Sequence, residues 1–289
     1  MNLFVLLMFG WTALTAQATD PSQETSLRVN VQMVEVYAAV FEGKKSVLGL
    51  KADQFRILED GRPQTIVHFE SQTSPLTIAL LLDTTGSMQQ TLPLVKNAAL
   101  RLLETLRPED SLALFSFSNH LEILHPFSRD RQASAKALLS TQAQGTTALF
   151  DALAQTASEL RRLSGKKVLI AFTDGDDNSS LLSQNAAVNS LKKIGVPVYS
   201  IAQGQVLKNN QLMKKLEEIS KATGGLIYEI KDSDEVVEAF EEIGKEVRQL
   251  YMLGYYPQPE SKESTWRRIL VELVSPLKFR VRAKEGYQP

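Results

Sequence analysis

Two carboxylates and three hydroxyls stand beside the most apolar stretches of this chain. Asp83-Thr84-Thr85-Gly86-Ser87 follows the run Leu76 to Leu82. Thr173-Asp174-Gly175 follows Val168 to Phe172, and Gly145-Thr146-Thr147 precedes a helical pattern that begins at Ala148. The side chains offered by Asp83, Thr85, Ser87, Thr147 and Asp174 are all oxygen donors. Oxygen ligands select a hard cation, Mg²⁺ (or Mn²⁺), ahead of Zn²⁺ or Cu²⁺. Two aspartates would bring a bound dication near neutrality. Hydroxyls in place of further carboxylates would keep it electrophilic enough to accept a carboxylate from outside.

These loops need strands and helices to bring them together. Leu76 to Leu82, Ser111 to Phe117, Val168 to Phe172, Val198 to Ala202 and Leu226 to Ile230 read as strands, with a short one at Leu121 to Leu124. Helical spacing fits Leu92 to Leu106, Ala148 to Leu163, Leu181 to Ile194, Asn210 to Thr223 and Ser233 to Leu250. Ser233-Asp234 offers an N-cap for the last helix. Alternation of this kind predicts an α/β fold: a doubly wound, mostly parallel sheet over 76–249, Rossmann-like, with ligands beyond the carboxyl ends of its strands. Both flanks, 27–75 and 250–289, are β-rich. Leu27, Val29, Val31, Met33, Val34 and Val36 alternate, and Phe55–Leu58, Thr65–Phe69, Tyr251–Tyr256, Arg268–Val274 and Phe279–Ala283 read as further strands. Residues 43–48 read as a loop. A small flanking β-domain follows if the two flanks pair, with the central region inserted into it.

The five oxygen-bearing residues also carry a resemblance. Asp83-x-Thr85-x-Ser87, Thr147 in GTTALFDAL and Asp174 in FTDGDD resemble the von Willebrand factor A domain and its metal-ion-dependent adhesion site. Thr146 departs from the Gly-Gly-Thr common in that family. The resemblance implies that Thr85, Ser87 and Thr147 ligate Mg²⁺ or Mn²⁺ through hydroxyls, Thr147 in the ligand-competent state. It implies that Asp83 and Asp174 hold metal-bound waters, and that a partner's Asp or Glu completes the shell. The flanks LKADQFRILEDGRPQTIVHFE and YMLGYYP resemble those of bacterial exported proteins built around such a domain.

Other features read as structural. Asp174-Gly175-Asp176-Asp177-Asn178 starts like a calcium loop but has Ser179 at the sixth position and Asn185 at the twelfth. Asp176 and Asp177 then form an acidic rim, with a second ion as the alternative. Lys44-Lys45 and Lys166-Lys167 read as solvated loop charges. Tyr251, Tyr255, Tyr256 and Trp266 read as packing of a β-domain. His120 and His125 are too isolated to propose as ligands. No loop has the pattern of a phosphate cradle.

Composition closes off other classes. Lys plus Arg number 32 and Asp plus Glu 33, a net charge of −1, without the basic excess of a nucleic-acid binder. The absence of cysteine excludes disulfides, thiolate nucleophiles and Cys-ligated zinc. Gly86-Ser87-Met88 lacks a nucleophile elbow, and Thr85 stands where an aspartyl-phosphate enzyme needs an acid, which argues against a metal-dependent hydrolase. Residues 1–18 carry no charged side chain and end in Ala16-Gln17-Ala18, the pattern of a cleaved signal peptide; an uncleaved anchor is the alternative. The chain therefore reads as an exported protein, periplasmic or secreted, with no stable transmembrane span after cleavage. It would be a non-enzymatic module that binds an acidic residue of a protein partner, or a scaffold subunit of a cell-envelope complex.

Overall fold

The computed structural model describes residues 32–232, 234–258, 266–275 and 278–288. The signal reading of residues 1–18, the alternating residues Leu27, Val29 and Val31, and the capping reading of Ser233 lie outside them. The N-terminal flank supplies β1 (Val34–Glu42), β2 (Lys45–Ser46), β3 (Phe55–Glu59), β4 (Arg62–Gln64) and β5 (Ile66–Glu70). The central region follows as β6 (Leu76–Asp83), α1 (Leu92–Thr105), β7 (Ser111–Phe117), β8 (Leu121–Ser128), α2 (Arg131–Ser140), α3 (Leu149–Arg161) and β9 (Lys166–Thr173). It continues through α4 (Gln184–Ile194), β10 (Val198–Gln203), α5 (Asn210–Thr223), β11 (Ile227–Ile230) and α6 (Glu235–Gln249). The C-terminal flank supplies β12 (Tyr251–Tyr255), β13 (Arg267–Leu273), β14 (Phe279–Ala283) and β15 (Gly286–Tyr287).

The central sheet has the order β11-β10-β9-β6-β7-β8, parallel except for β8. Strand β6 explains why helices must cover both faces. Ile78, Leu80 and Leu82 point into the core shared with α1 and α6, while Ala79 and Leu81 point into the core shared with α3, α4 and α5. A strand buried on both faces reads as a continuous apolar run. Chain order reverses at β6, which lies between β7 and β9, so the crevice at its C-terminal end is the expected ligand position.

The flanks form a two-sheet sandwich. One sheet has the order β14-β1-β12-β5, with β2 folded back on β1; the other is β15-β13-β3-β4. Val34 pairs with Tyr255 and Val36 with Leu253, so strands from opposite ends of the chain are neighbours. The alternation of β1 serves two cores at once. Val34, Val36, Ala38 and Val40 enter the sandwich interior, while Tyr37 and Ala39 pack into the core beneath the central sheet. Strand β12 does the same, with Leu253 and Tyr255 on one side and Met252 on the other. One sheet is thus a layer common to sandwich and α/β body.

Several sequence readings need correction. Lys166 and Lys167 are not solvated loop charges: they lie within β9, 1% and 2% exposed. The Lys167 ammonium donates to Glu35 (2.8 Å), and that of Lys166 to the Arg248 carbonyl (2.8 Å). Helix α4 starts at Gln184 rather than Leu181, because the Ser183 hydroxyl accepts from Ala186 N–H and caps it there. Helix α6 starts at Glu235. The Asp234 side chain makes no cap; the Glu235 carboxylate instead accepts from Lys231 N–H. Residues 43–48 are not all loop, since Lys45–Ser46 pairs with β1. Strand β8 runs to Ser128 through Pro126; proline lacks a backbone N–H, which an edge strand tolerates because only one of its sides is paired. Helix α2 had no counterpart in the sequence reading. Its apolar face is narrow, and its one clear signal is the Asp130 cap, which accepts from Ala133 N–H.

Candidate functional site

Asp83 is the last residue of β6, and Thr173 the last of neighbouring β9. The Thr173 hydroxyl donates to Asp83 Oδ2 (2.8 Å), and Thr85 N–H donates to Oδ1 (2.9 Å). The chain then enters a 3-10 turn, Gly86–Gln89, pinned from below by the fully buried Met88. This turn presents Ser87, which is exposed, above Thr85, which is buried. Their hydroxyls lie 3.0 Å apart, and the Ser87 hydroxyl donates to Asp174 Oδ1 (2.8 Å). Asp83, Thr85, Ser87 and Asp174 therefore form one linked group across two loops.

Thr147 joins them from a third loop. The Gly145 carbonyl accepts from Gly86 N–H, and the Thr84 carbonyl from Gln144 N–H (2.7 Å), which ties the loop to the first. Gly175 marks the convergence: a Cβ there would stand 3.5 Å from the Thr147 hydroxyl and 3.6 Å from that of Ser87. The absent side chain leaves room between the two hydroxyls. All five residues named from the sequence thus gather at the C-terminal end of β6 and β9.

Burial sets the electrostatics. Asp83 is fully buried, and desolvation pushes its carboxyl up to about 6, against the hydrogen bonds from Thr85 and Thr173; the charge of Asp174 pushes the same way. Burial also raises Asp174, opposed by the Ser87 hydroxyl. Among the described residues, no Lys, Arg or His is a main cause of either shift. Among the described residues no three His, Asp or Glu side chains gather as metal ligands. A cation here would meet two carboxylates and a set of hydroxyls. That donor set fits a hard dication, which would supply the missing positive charge.

Of the two remaining acids, Asp177 differs from the sequence reading. Asp177 is not part of a rim: its carboxylate accepts from Phe150 N–H (2.9 Å) and from the Ser180 hydroxyl (2.6 Å). Asp176 is exposed and accepts from the Asn209 amide. Tyr251 and Tyr255 are sandwich core, whereas Tyr256 and Trp266 are each 47% exposed. The sequence reading also passed over two residues that shape the site. Thr173 precedes Asp174 directly, at the strand end where ligands gather. Asn119, between β7 and β8, accepts from Thr146 N–H (2.7 Å) and from the Thr146 hydroxyl (3.1 Å).

The model of the von Willebrand factor type A domain matches residues 77–242. An uncharacterized protein of Synechocystis sp. is 28% identical over 178 residues, 58% of this chain. The chain spans 41% of that relative's length. A von Willebrand factor type A protein from Catenulispora acidiphila superposes with a TM-score of 0.54 at 14% identity, covering 90% of this chain and 74% of that one. A variant of the PilB minor pilin from Streptococcus sanguinis gives a TM-score of 0.51 at 13% identity, covering 61% of this chain and 62% of its own. At these identities the structures share a fold. No helix among the described residues is long and apolar enough to cross a membrane.

Proposed function

The chain belongs to the von Willebrand factor type A domain family, and from that premise we propose that it is a non-enzymatic binding protein. It recognises an acidic residue of a protein partner through a divalent cation, Mg²⁺ or Mn²⁺. The observation that carries this reading is the buried pair Asp83 and Asp174, linked through Thr85 and the Ser87 hydroxyl, with no cationic side chain of the described residues among the main influences on either. Two buried acids of like charge, both raised by desolvation, are the arrangement a dication relieves.

Asp83, Thr85, Ser87, Thr147 and Asp174 would hold the ion. The bound ion would supply a Lewis-acidic position for the partner's Asp or Glu. Buried Asp83 and Thr85 make the floor, and exposed Ser87 faces outward. Asn119 and Thr146 are exposed and uncharged, which leaves a carboxylate unrepelled on their side of the site, while Asp176 is exposed on the loop that follows Asp174. The signal-peptide reading of residues 1–18 places the protein outside the cytoplasm, in the periplasm or secreted. One fold neighbour is a minor pilin by its name, in keeping with a role in protein attachment.

A scaffold role in an envelope assembly draws on a separate observation. Helix α6 runs into β12, an inner strand of the sheet common to sandwich and α/β body. The helix packed under β6 thereby continues directly into the sandwich, a route by which a partner held by the α/β body is connected to it. Calorimetric titration of Mg²⁺ and Mn²⁺ into the purified protein and into Asp83→Ala tests the cation. Saturable binding lost in Asp83→Ala supports the reading; binding that survives, or none at millimolar metal, overturns it. Pull-down from an envelope fraction with and without EDTA then separates the roles. One stoichiometric endogenous partner means assembly, and capture of external surface proteins alone means attachment.

A further inference from the structure

We propose that Asp177 and Asp151 are positioning residues, and that their exchange of hydrogen bonds between a loop and a helix sets the place of the Thr147 hydroxyl in the site. The proposal deepens the cation reading above and rests on it for the role of Thr147.

Thr147 is held by its backbone. Its N–H donates to Asn178 Oδ1 (3.0 Å), and its carbonyl accepts from Asn178 N–H (3.0 Å) and Ser179 N–H (3.1 Å). Thr147 is therefore strapped to residues 178–179. Those residues belong to a stretch between β9 and α4 with no helix or strand of its own. Something else must hold that stretch still.

Two carboxylates do so, in opposite directions. The first N–H groups of a helix have no partner within it, and α3 has no side-chain cap at Ala148 to serve them. Asp177, from the loop, accepts from Phe150 N–H, and the Ser180 hydroxyl accepts from Asp151 N–H (3.1 Å). Carboxylates are favoured there by the positive end of the helix dipole. Asp151, from the first turn of the helix, reaches back to the loop and accepts from Leu181 N–H (2.8 Å) and Leu182 N–H (2.9 Å). Loop and helix cap each other. The segment between these two anchors is the one that grips Thr147. The Asp177 oxygens, engaged by Phe150 and Ser180, are committed to the clamp rather than to a second ion.

Partners of this kind that orient ligands typically alter metal affinity by about 10- to 100-fold when removed. The test is a double-mutant cycle of Asp177→Ala and Thr147→Ala, read by Mn²⁺ titration beside wild type and Asp83→Ala, with hydrogen exchange on the metal-free proteins. If Asp177 acts through Thr147, Asp177→Ala weakens Mn²⁺ binding by about tenfold or more, and adding it to Thr147→Ala costs nothing further. The Asn178 and Ser179 amides lose protection in Asp177→Ala. Additive losses, unchanged affinity in Asp177→Ala, or unchanged protection of those amides overturn the clamp. If wild type binds no Mn²⁺, the cation reading fails and the ligand role of Thr147 with it, while hydrogen exchange still judges whether Asp177 holds the loop. Ser180→Ala, which removes one donor to Asp177, gives the same comparison at smaller amplitude should Asp177→Ala not fold.

Discussion

The ammonium of the buried Lys167 side chain donates to the Glu35 carboxylate at 2.8 Å and so ties β9 of the central sheet to β1 of the sandwich across 132 residues of sequence. A buried ammonium without its carboxylate is costly. Glu35→Ala is expected to destabilise the protein by about 3 kcal/mol, whereas replacing both residues by apolar ones of similar size costs less. Chemical denaturation of the three variants measures this. Because one sheet feeds two cores, wild type should unfold in a single transition by both tryptophan fluorescence and far-ultraviolet dichroism. Two separated transitions would show sandwich and α/β body to be independent.

Asp110 predicts an acid dependence. Burial opposes its ionisation, but the Arg248 guanidinium and the N–H groups of Leu76 (2.8 Å) and Arg107 (2.7 Å) outweigh it and hold the carboxyl below its ordinary value. A lowered folded-state pKa means stability that is present above the unfolded value, about 4, and lost as pH falls through the folded one. The urea midpoint of wild type should therefore drop on acidification below about pH 4, and the difference from Asp110→Asn should shrink over the same range. A difference that stays constant with pH would refute the assignment.

Asp83 has the opposite sign. Its carboxyl is pushed up to about 6 by burial, so the native state without metal favours the protonated form. Its contribution is favourable below the ordinary carboxylate range and is lost as pH rises through about 6. Metal-free Asp83→Asn should melt higher than wild type at pH 7.5, gain less at pH 5 and gain nothing below about pH 4. Added Mg²⁺ should raise the melting temperature of wild type alone, since only a form that binds the ion is stabilised by it. Equal shifts in both proteins would place the ion elsewhere.

Gly145 has a φ of +87°, and a Cβ there would stand 2.4 Å from Asn119 Oδ1, the atom that accepts from Thr146 N–H. Gly145→Ala should cost about 1–3 kcal/mol, combining left-handed strain with the loss of that bond. Part of the cost is steric, so Asn119→Ala combined with Gly145→Ala should be less unstable than the two separate losses added together. Additivity in urea denaturation would show that Asn119 does not limit the space at Gly145.

Much of the fold was legible because local pattern and global burial agree. The run Leu76–Leu82 is apolar on both faces, and it became a strand covered on both faces. Asn210–Thr223 keeps its predicted bounds, because the Asn209 side chain caps one end and Gly224, with a positive φ, stops the other. Disagreement came where a distant partner overrides local character. Leu181 and Leu182 continue a helical pattern, yet their N–H groups are taken by Asp151 and the helix starts after them.

By itself the sequence determined which residues can offer oxygen ligands and which apolar runs must be buried, because residue type and periodicity are properties of the chain. It determined that Asp83, Thr85, Ser87, Thr147 and Asp174 each lie at the end of a strand or the start of a helix, where a doubly wound sheet collects its loops. Only the tertiary structure decided what each charge meets. Lys167 is paired rather than solvated because β1, far away in sequence, brings Glu35 to it. Asp177 caps a helix because α3 begins without a cap of its own. The fate of an ionisable group depends on its desolvation and its nearest partner, and both are set by residues distant along the chain.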